Sequence, residues 1–465
     1  MTTTTSSTAT ITSLGVGSGL DLESILESLE ESKTASLLDP ITTQEESVEA
    51  EISAYGTLTS ALDALQTAAE ALADASLYDS LSTSISGSGV SVSTSSEAVA
   101  GTYKVEVTQL AQAQSLATDG ISDTSTTLGT GTLTLQAGDN DAVSITLDSS
   151  NNTLEGLRDA INAADAGVTA TIVSDGSDSP YRLVLTSNST GTDAAMTVSY
   201  SSDDSSDLAS TLFGYADGEG NMTETVAAQD AELTINGIAV TSQSNTVEGA
   251  LQGVTLTLSD TGSSQTLTIK RDTATIEKAI TAFVDAYNDF VGTVDDLTAY
   301  DADAGTSGEL LGDSTTRRIS TKLASDIYSQ IGSGTFSYLS QLGIGLESDG
   351  TLSIDEDTLE SALTDNIDAV SAFFIGSDGS SGFISRMTTD LDSYLDEDNG
   401  LIVAKTDSLE NKLNQLEERY EEKQALIDSE MERWREQFTE LDTLISTLNS
   451  TADYLTEQFE ALNSD

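Results

Sequence analysis

Apolar positions along the chain fall into three regimes. From residue 22 the spacing is helical, with Leu22, Ile25, Leu26 and Leu29 on one face of a short amphipathic stretch. Asp39 then takes the position of an N-cap and Pro40 the first helical position, where a missing N–H costs nothing. Behind that start, Ile41, Gln44, Val48, Glu51, Tyr55, Leu58, Leu62, Leu65, Ala69 and Leu72 alternate steps of four and three. The pattern predicts a mostly apolar heptad seam, with Gln44 and Glu51 as polar breaks. Near residue 79 the period becomes two. Residues 80–272 are rich in Ser, Thr, Gly and Val, and runs such as GTYKVEVTQL, GTLTLQAG, YRLVLTS, AELTINGIAV and GVTLTLSD predict strands between Gly, Asn and Asp turns. NTLEG at 152–156 precedes GVTAT at 167–171, and NTVEG at 245–249 precedes GVTLT at 253–257. Both copies predict a polar cap, a short helix with an acid in its first turn and then a strand, in two β-rich domains of related build.

Helical spacing returns at about residue 273, where Ile276, Ile280, Phe283, Val284, Tyr287, Phe290 and Val291 form a wide apolar face. LGIGLESDGTLSID reads as a hairpin closed at Asp349-Gly350, followed by a helix from about Asp357 to Phe374. The chain finishes with a long amphipathic helix or pair of helices. Leu409, Leu413, Leu416 and Tyr420 set its seam, Ile427, Met431, Trp434, Phe438 and Leu441 resume it, and Leu444, Leu448, Leu455 and Phe459 carry the stripe to the end. Trp434 and Phe438, at helical spacing, are expected in a coiled-coil core rather than a ligand box.

The predicted class is an α+β multidomain protein: a discontinuous helical coiled-coil stalk drawn from both termini, with β-rich domains inserted between its halves. We expect a flexible N-terminal segment at 1–38, a stalk helix at 39–78, one β-rich domain from 79–118 and 229–272, and an outer β-rich domain at 119–228. A helical domain with a hairpin follows at 273–400, then a coiled-coil helix at 401–439 and a terminal helix at 440–465. The stalk seam is assigned to Val48, Tyr55, Leu58, Leu62 and Leu65 against Leu409, Leu413, Leu416, Tyr420 and Ile427. Bundling within the chain and additional use between chains both remain open. The outermost stripes have no obvious partner within a Gly-rich terminus, and such segments fold on docking.

Charge adds a second constraint. Asp and Glu number 78 against 17 Lys and Arg, a formal net charge of −61. Such a chain repels nucleic-acid phosphates and anionic membranes, so neither is expected as a partner. Mutual repulsion destabilises the fold at low salt, whereas molar salt shortens the screening length to about 3 Å, which points to a salt-loving source organism. Plain solubility needs far less charge. Cys and His are absent, which removes disulfides, thiolate chemistry, imidazole acid–base work and the usual zinc and copper sites. No run of 18 apolar residues predicts a membrane span. MTTTTSSTATITSLGVGSGLDL lacks both the basic start and the apolar core of a cleaved secretory signal.

Catalytic and metal motifs are weak. DADAG at 301–305 and DEDNG at 396–400 place alternate oxygens near a Gly, yet neither continues to the Glu of an EF-hand loop. Among 78 acids some carboxylate pair is certain, so a glycosidase pair carries no information. GVGSG at 15–19 lacks the preceding strand and the Lys of a phosphate-binding loop, and reads as a hinge. No catalytic residue, cofactor or metal ligand is assigned.

The ends of the chain are more specific. ITSLGVGSGLDLESILESL at 11–29 resembles the N-terminal signature of the flagellar filament capping proteins, the hook-associated protein 2 family, and EQFTELDTLISTLNSTADYLTEQFEAL at 436–462 resembles its C-terminal helix. ISAYGTL at 52–58, GTYKVEVTQLAQAQSL at 101–116 and LLGDSTTRRI at 310–319 are similar to the same family. NTLEGLRDAINAADAGVTATIV at 152–173 is similar to a motif of hook and filament-associated proteins. The resemblance implies a structural cap at the distal tip of the bacterial flagellum, not an enzyme. It implies a closed ring of roughly four to six copies that promotes folding and insertion of flagellin and prevents its loss. It further implies export through the flagellar type III apparatus without a cleaved signal, an export chaperone before secretion, and contact with the hook–filament junction protein. Filament and subunit contacts are then expected at Leu14, Leu20, Leu22, Ile25, Leu26, Leu29, Phe438, Leu441, Leu444, Leu448, Tyr454, Leu455 and Phe459. A filament-body or hook-junction subunit shares the helix-ended plan but polymerises openly, and an adhesin does not account for both terminal signatures.

Overall fold

In the computed structural model, residues 18–203, 207–332, 334–379 and 381–463 are described. They divide into two compact units: Tyr78–Asp272, and the residues up to Leu77 together with those from Thr273 onward.

The second of these begins with helix α1, Leu22–Leu37, capped by Asp21, whose side chain accepts from the Ser24 amide at 3.2 Å. Helix α2, Asp39–Ala73, follows after one residue. The expected N-cap is corrected here: Leu38, not Asp39, caps both helices. Leu38 keeps right-handed helical geometry, its N–H donates to Thr34 and its carbonyl accepts from Ile41 and Thr42. Asp39 therefore lies inside the first turn, where its charge suits the helix dipole, and Pro40 fits there without losing a bond. Val48, Tyr55, Leu58, Leu62, Leu65, Ala69 and Leu72 are all buried on α2 while Gln44 is exposed. Each fully buried Leu contributes roughly 1.5–3 kcal/mol.

A short helix, α3 (Ala75–Asp79), leads into the β-rich unit. There a five-stranded antiparallel sheet runs in the order Leu81–Ile85, Gln265–Arg271, Gly101–Gln109, Ala231–Ile235, Ile238–Ser242. A three-stranded sheet of Thr246–Leu251, Val254–Leu258 and Val90–Thr94 shares its core. Alternation places Val105 and Val107 inside with Glu106 outside, and Val254, Leu256 and Leu258 inside from the other sheet. A separate cluster unites the strands Gly131–Ala137, Met196–Ser202 and Tyr181–Ser187 with helix α4, Leu154–Ala163, through Leu133, Leu135, Leu157, Ile161, Leu183 and Val198. Helix α5, Ala209–Leu212, belongs to the same cluster.

The apparent repeat does not repeat in structure. Around 152–171 the prediction is met: Thr153 caps α4, accepting from Gly156 N at 3.2 Å, and the strand Val168–Ser174 follows. NTVEG instead belongs to the strand Thr246–Leu251, which turns back into Val254–Leu258. Too few residues separate it from GVTLT for a helix. Gly253, at φ +67°, makes the turn, and a Cβ there would meet the Ala98 amide nitrogen at 2.3 Å.

Helix α6, Thr273–Thr298, returns the chain to the helical unit and packs on α2. Helix α7 spans Ser314–Tyr328. The hairpin pairs Ile344–Leu346 with Leu352–Ile354, and Gly350, at φ +88°, donates to the Glu347 carbonyl at 3.2 Å. The single helix expected to Phe374 is two, α8 (Glu356–Asp365) and α9 (Ile367–Phe374), because Asn366 leaves helical geometry at φ −142°. Helix α10, Phe383–Leu395, brings Phe383 against Phe283, Phe373 and Phe374 at centroid distances of 5.8–6.3 Å. Helix α11, Leu401–Asn463, is one continuous helix of 63 residues.

Candidate functional site

Helices α2 and α11 meet, and α2 also packs on α6 and α10. The assigned seam residues Leu409, Leu416 and Ile427 are buried, whereas Leu413 and Tyr420 are half-buried. One polar network crosses this packing. Asp313 caps α7, accepting from the Thr315 and Thr316 amides at 2.8 Å each. The Tyr55 hydroxyl donates to the same carboxylate at 2.6 Å, and Lys405 Nζ lies 3.2 Å from its other oxygen and 5.9 Å from the Tyr55 ring centre. Burial alone would raise the Asp313 carboxyl, but the Tyr55 hydroxyl, the Thr316 amide and Lys405 together bring it down to about 2. Tyr55 moves the other way, raised by burial and by its bond to the carboxylate. Three segments far apart in sequence are thus fixed around one charge.

A second network joins α7 to α10. Lys322 donates to both Asp326 oxygens, at 2.7 and 2.8 Å, and to Asp390. Two carboxylates share one ammonium. Burial, with Asp390 nearby, lifts Asp326 above its usual range despite that ammonium.

The expectation that the N-terminal stripe lacks a partner is corrected by α1. Leu22 and Leu26 are buried and Leu29 half-buried; Leu26 and Leu38 cluster with Ile427 and Met431, flanked by Tyr420 and Phe438. Lys33 pairs with Glu430 at 2.6 Å, Arg435 with Glu23 at 3.2 Å, and the Ser18 amide donates to Asp442 at 2.8 Å. Rising positions on α1 meet falling positions on α11, so the two run antiparallel. Sequence spacing could not show this because the partners are some 400 residues apart. Leu20 and Ile25 face outward. Leu14 lies outside the described residues.

Toward its C-terminal end the apolar stripe of α11 is exposed among the described residues. Leu441, Leu444, Leu448, Tyr454, Leu455 and Phe459 are exposed, Phe459 to 64%. Phe438 is half-buried, but Trp434, expected in a core, is 39% exposed and lies against Phe438 with ring centres 5.8 Å apart. It sits one turn outside the buried Met431 position, on the edge of the α1 contact.

The acid-rich loops are occupied by their own backbone. Asp301 accepts from Asp303 N and Ala304 N at 2.9 and 3.0 Å, and Asp396 from Asp398 N and Asn399 N at 3.1 and 2.6 Å. Among the described residues no group of three or more acidic side chains could hold a metal ion. No helix of the described residues is long and apolar enough to cross a membrane.

A helical unit built from both ends of the chain, a β-rich unit inserted within it and an exposed apolar stripe on a long terminal helix define the class, an α+β protein of two compact units. Comparison with known proteins specifies the kind. The profile described as flagellar hook-associated protein 2 C-terminus matches residues 228–450, that of its N-terminus residues 18–114, and a flagellin hook IN motif residues 132–189. Flagellar hook-associated protein 2 of Escherichia coli K12 is 44% identical, over 97% of this chain and 98% of its own. That of Salmonella typhimurium LT2 is 39% identical over 98% and 99%. The crystal structure of the flagellar cap protein FliD D1-D2-D3 domains from Escherichia coli superposes with a TM-score of 0.64 at 41% identity, covering 77% of this chain and 99% of that one. The chain belongs to the flagellar hook-associated protein 2 family, and its function is that of a flagellar filament cap.

Proposed function

We propose that this chain works at the distal tip of the flagellum as a closed ring, of roughly four to six copies as the family resemblance implies, beneath which exported flagellin folds and is inserted. The observation that carries the proposal is the exposed stripe of α11. Six large apolar side chains, from Leu441 to Phe459, stand exposed on one terminal helix of a highly acidic protein. Such a face is unfavourable in water and favours a partner of like character. Leu441, Leu444, Leu448, Tyr454, Leu455 and Phe459 are assigned to filament and subunit contact, together with Leu14, Leu20 and Ile25. Leu22, Leu26, Leu29 and Phe438 act through the α1–α11 contact that presents this face. Before export the same stripe calls for a chaperone; after export the ring seats on the hook–filament junction protein until flagellin arrives. Export through the flagellar apparatus, and a role without a catalytic step, complete the proposal.

Truncation after residue 439 tests it. The shortened chain should keep a folded β-rich unit, seen as an unchanged β signal in circular dichroism, and lose the ability to support filament growth in cells lacking the full-length protein. Normal filaments with the truncated chain would contradict the role given to α11.

A further inference from the structure

Cations are scarce in this chain, 17 against 78 acids, and the charged networks described above use several of them. Lys33, Lys322, Lys405 and Arg435 each hold a carboxylate. Helix α7 sets two adjacent exposed guanidiniums, Arg317 and Arg318, beside Lys322. Its outward stripe, Ser314, Arg317, Arg318, Thr321, Lys322 and Ser325, borders a shallow hollow of about 540 Å³ and contains no carboxylate. Arg317 and Arg318 are exposed, and among the described residues neither forms a salt bridge. The nearest acid along the helix, Asp313, is committed to the Tyr55 hydroxyl, Lys405 and its own cap. Two guanidiniums without a salt bridge thus stand beside a hollow lined by no carboxylate, in a molecule of net charge −61.

The same helical unit carries the complement. Thr42 and Glu45 of α2 with Glu417, Tyr420 and Glu421 of α11 line a groove of about 380 Å³. Glu417 and Glu421 are exposed and one turn apart, and the groove holds no cation. Guanidinium groups suit it: they pair with carboxylates through two parallel hydrogen bonds and stack on an aromatic ring.

We propose that Arg317 and Arg318 of one copy dock into the Glu45–Glu417–Tyr420–Glu421 groove of a second copy. The contact is heterologous, with different patches on the two partners, and such contacts close into rings when the rotation closes. It rests on the ring assembly given under Proposed function and supplies one of its joints. Two copies at −61 repel each other overall, so a local attraction of opposite sign orients the encounter and fixes the register.

Global charge and local pairing make opposite predictions, which provides the test. Arg317→Glu/Arg318→Glu makes the chain more negative, whereas Glu417→Arg/Glu421→Arg makes it less negative. If only net charge matters, the first variant associates more weakly and the second more tightly. The groove contact requires both to associate more weakly, by about tenfold or more in dissociation constant. Combining all four changes restores the parent net charge and reverses the pair, so association should recover. The full-length variants would be compared by sedimentation velocity in about 0.15 M salt, where the screening length is about 8 Å. Helicity from circular dichroism separates misfolding from lost contact, and all four sites are exposed surface positions. Tighter association of the Glu→Arg variant, or no recovery in the combined one, overturns the proposal. So does a pair of variants that associate like the parent. An effect of Arg317→Glu/Arg318→Glu on flagellin binding alone would give this face to flagellin rather than to a second copy. Filament growth in complemented cells keeps the two levels apart: variants that associate normally and still cap would end this contact while leaving the cap function intact.

Discussion

Asp313→Asn removes one negative charge and leaves the shape of the α7 cap almost unchanged. The carboxyl lies at about 2 in the folded chain against an ordinary 3.8, and each unit is worth 1.36 kcal/mol. The charged form is therefore favoured by about 2 kcal/mol, and the neutral amide forfeits that amount. The side chain is only 13% exposed, so solvent screening leaves most of this in place. The sign with pH follows from the depressed value: the contribution is complete above about pH 5, falls to about half near pH 3 and is gone below about pH 2. Denaturant unfolding of parent and variant, followed by helical circular dichroism in about 1 M salt to suppress general repulsion, measures the difference. We expect a deficit of about 2 kcal/mol at pH 7 that narrows steadily towards pH 3. A variant as stable as the parent at pH 7, or a deficit independent of pH, would refute the assignment of Asp313 as the charge that joins α2, α7 and α11.

Leu62→Ala, at a fully buried seam position, should cost about 2–5 kcal/mol in the same unfolding measurement, and a loss under 1 kcal/mol would mean the seam is not tightly packed. Leu26→Ala should loosen α1 from α11, read as faster amide exchange across Leu22–Leu37 with no change in the β-rich unit. Across a sodium chloride series, association should weaken before helicity as salt falls, since the screening length grows to about 30 Å at 0.01 M and each added copy brings its own charge. Equal association at both ends of the series would show that the acidity serves another purpose.

Local pattern disclosed most of the architecture. Period two from Leu81 and period 3.6 from Thr273 mark where sheet replaces helix and helix returns, because a half-buried strand and a half-buried helix each write their burial directly into residue spacing. Failures cluster where a tertiary or single-residue choice decided the outcome. Leu38 carries no polar cap signal, yet its backbone serves two helices. Asn366 breaks a helix that the apolar spacing alone runs through. NTVEG copies the letters of NTLEG but lacks the ten residues that let α4 bury Leu154, Leu157 and Ile161. The candidate site divides in the same way. Its apolar stripe on α11 is plain in the heptads, and Asp313 before Ser-Thr-Thr is a recognisable cap. The meeting of Asp313 with Tyr55 and Lys405, the seating of α1 on α11 and the unpaired state of Arg317 and Arg318 are tertiary facts without a local signature.

The cap assignment itself is tested most directly by deleting the gene in its source bacterium and examining cells and medium together, by electron microscopy and by assay for secreted flagellin. A cap predicts hooks without filaments, flagellin monomers released into the medium, and recovery of both phenotypes when the full-length chain is restored. Filaments of normal length and number in the deletion strain, with no flagellin lost to the medium, would contradict it.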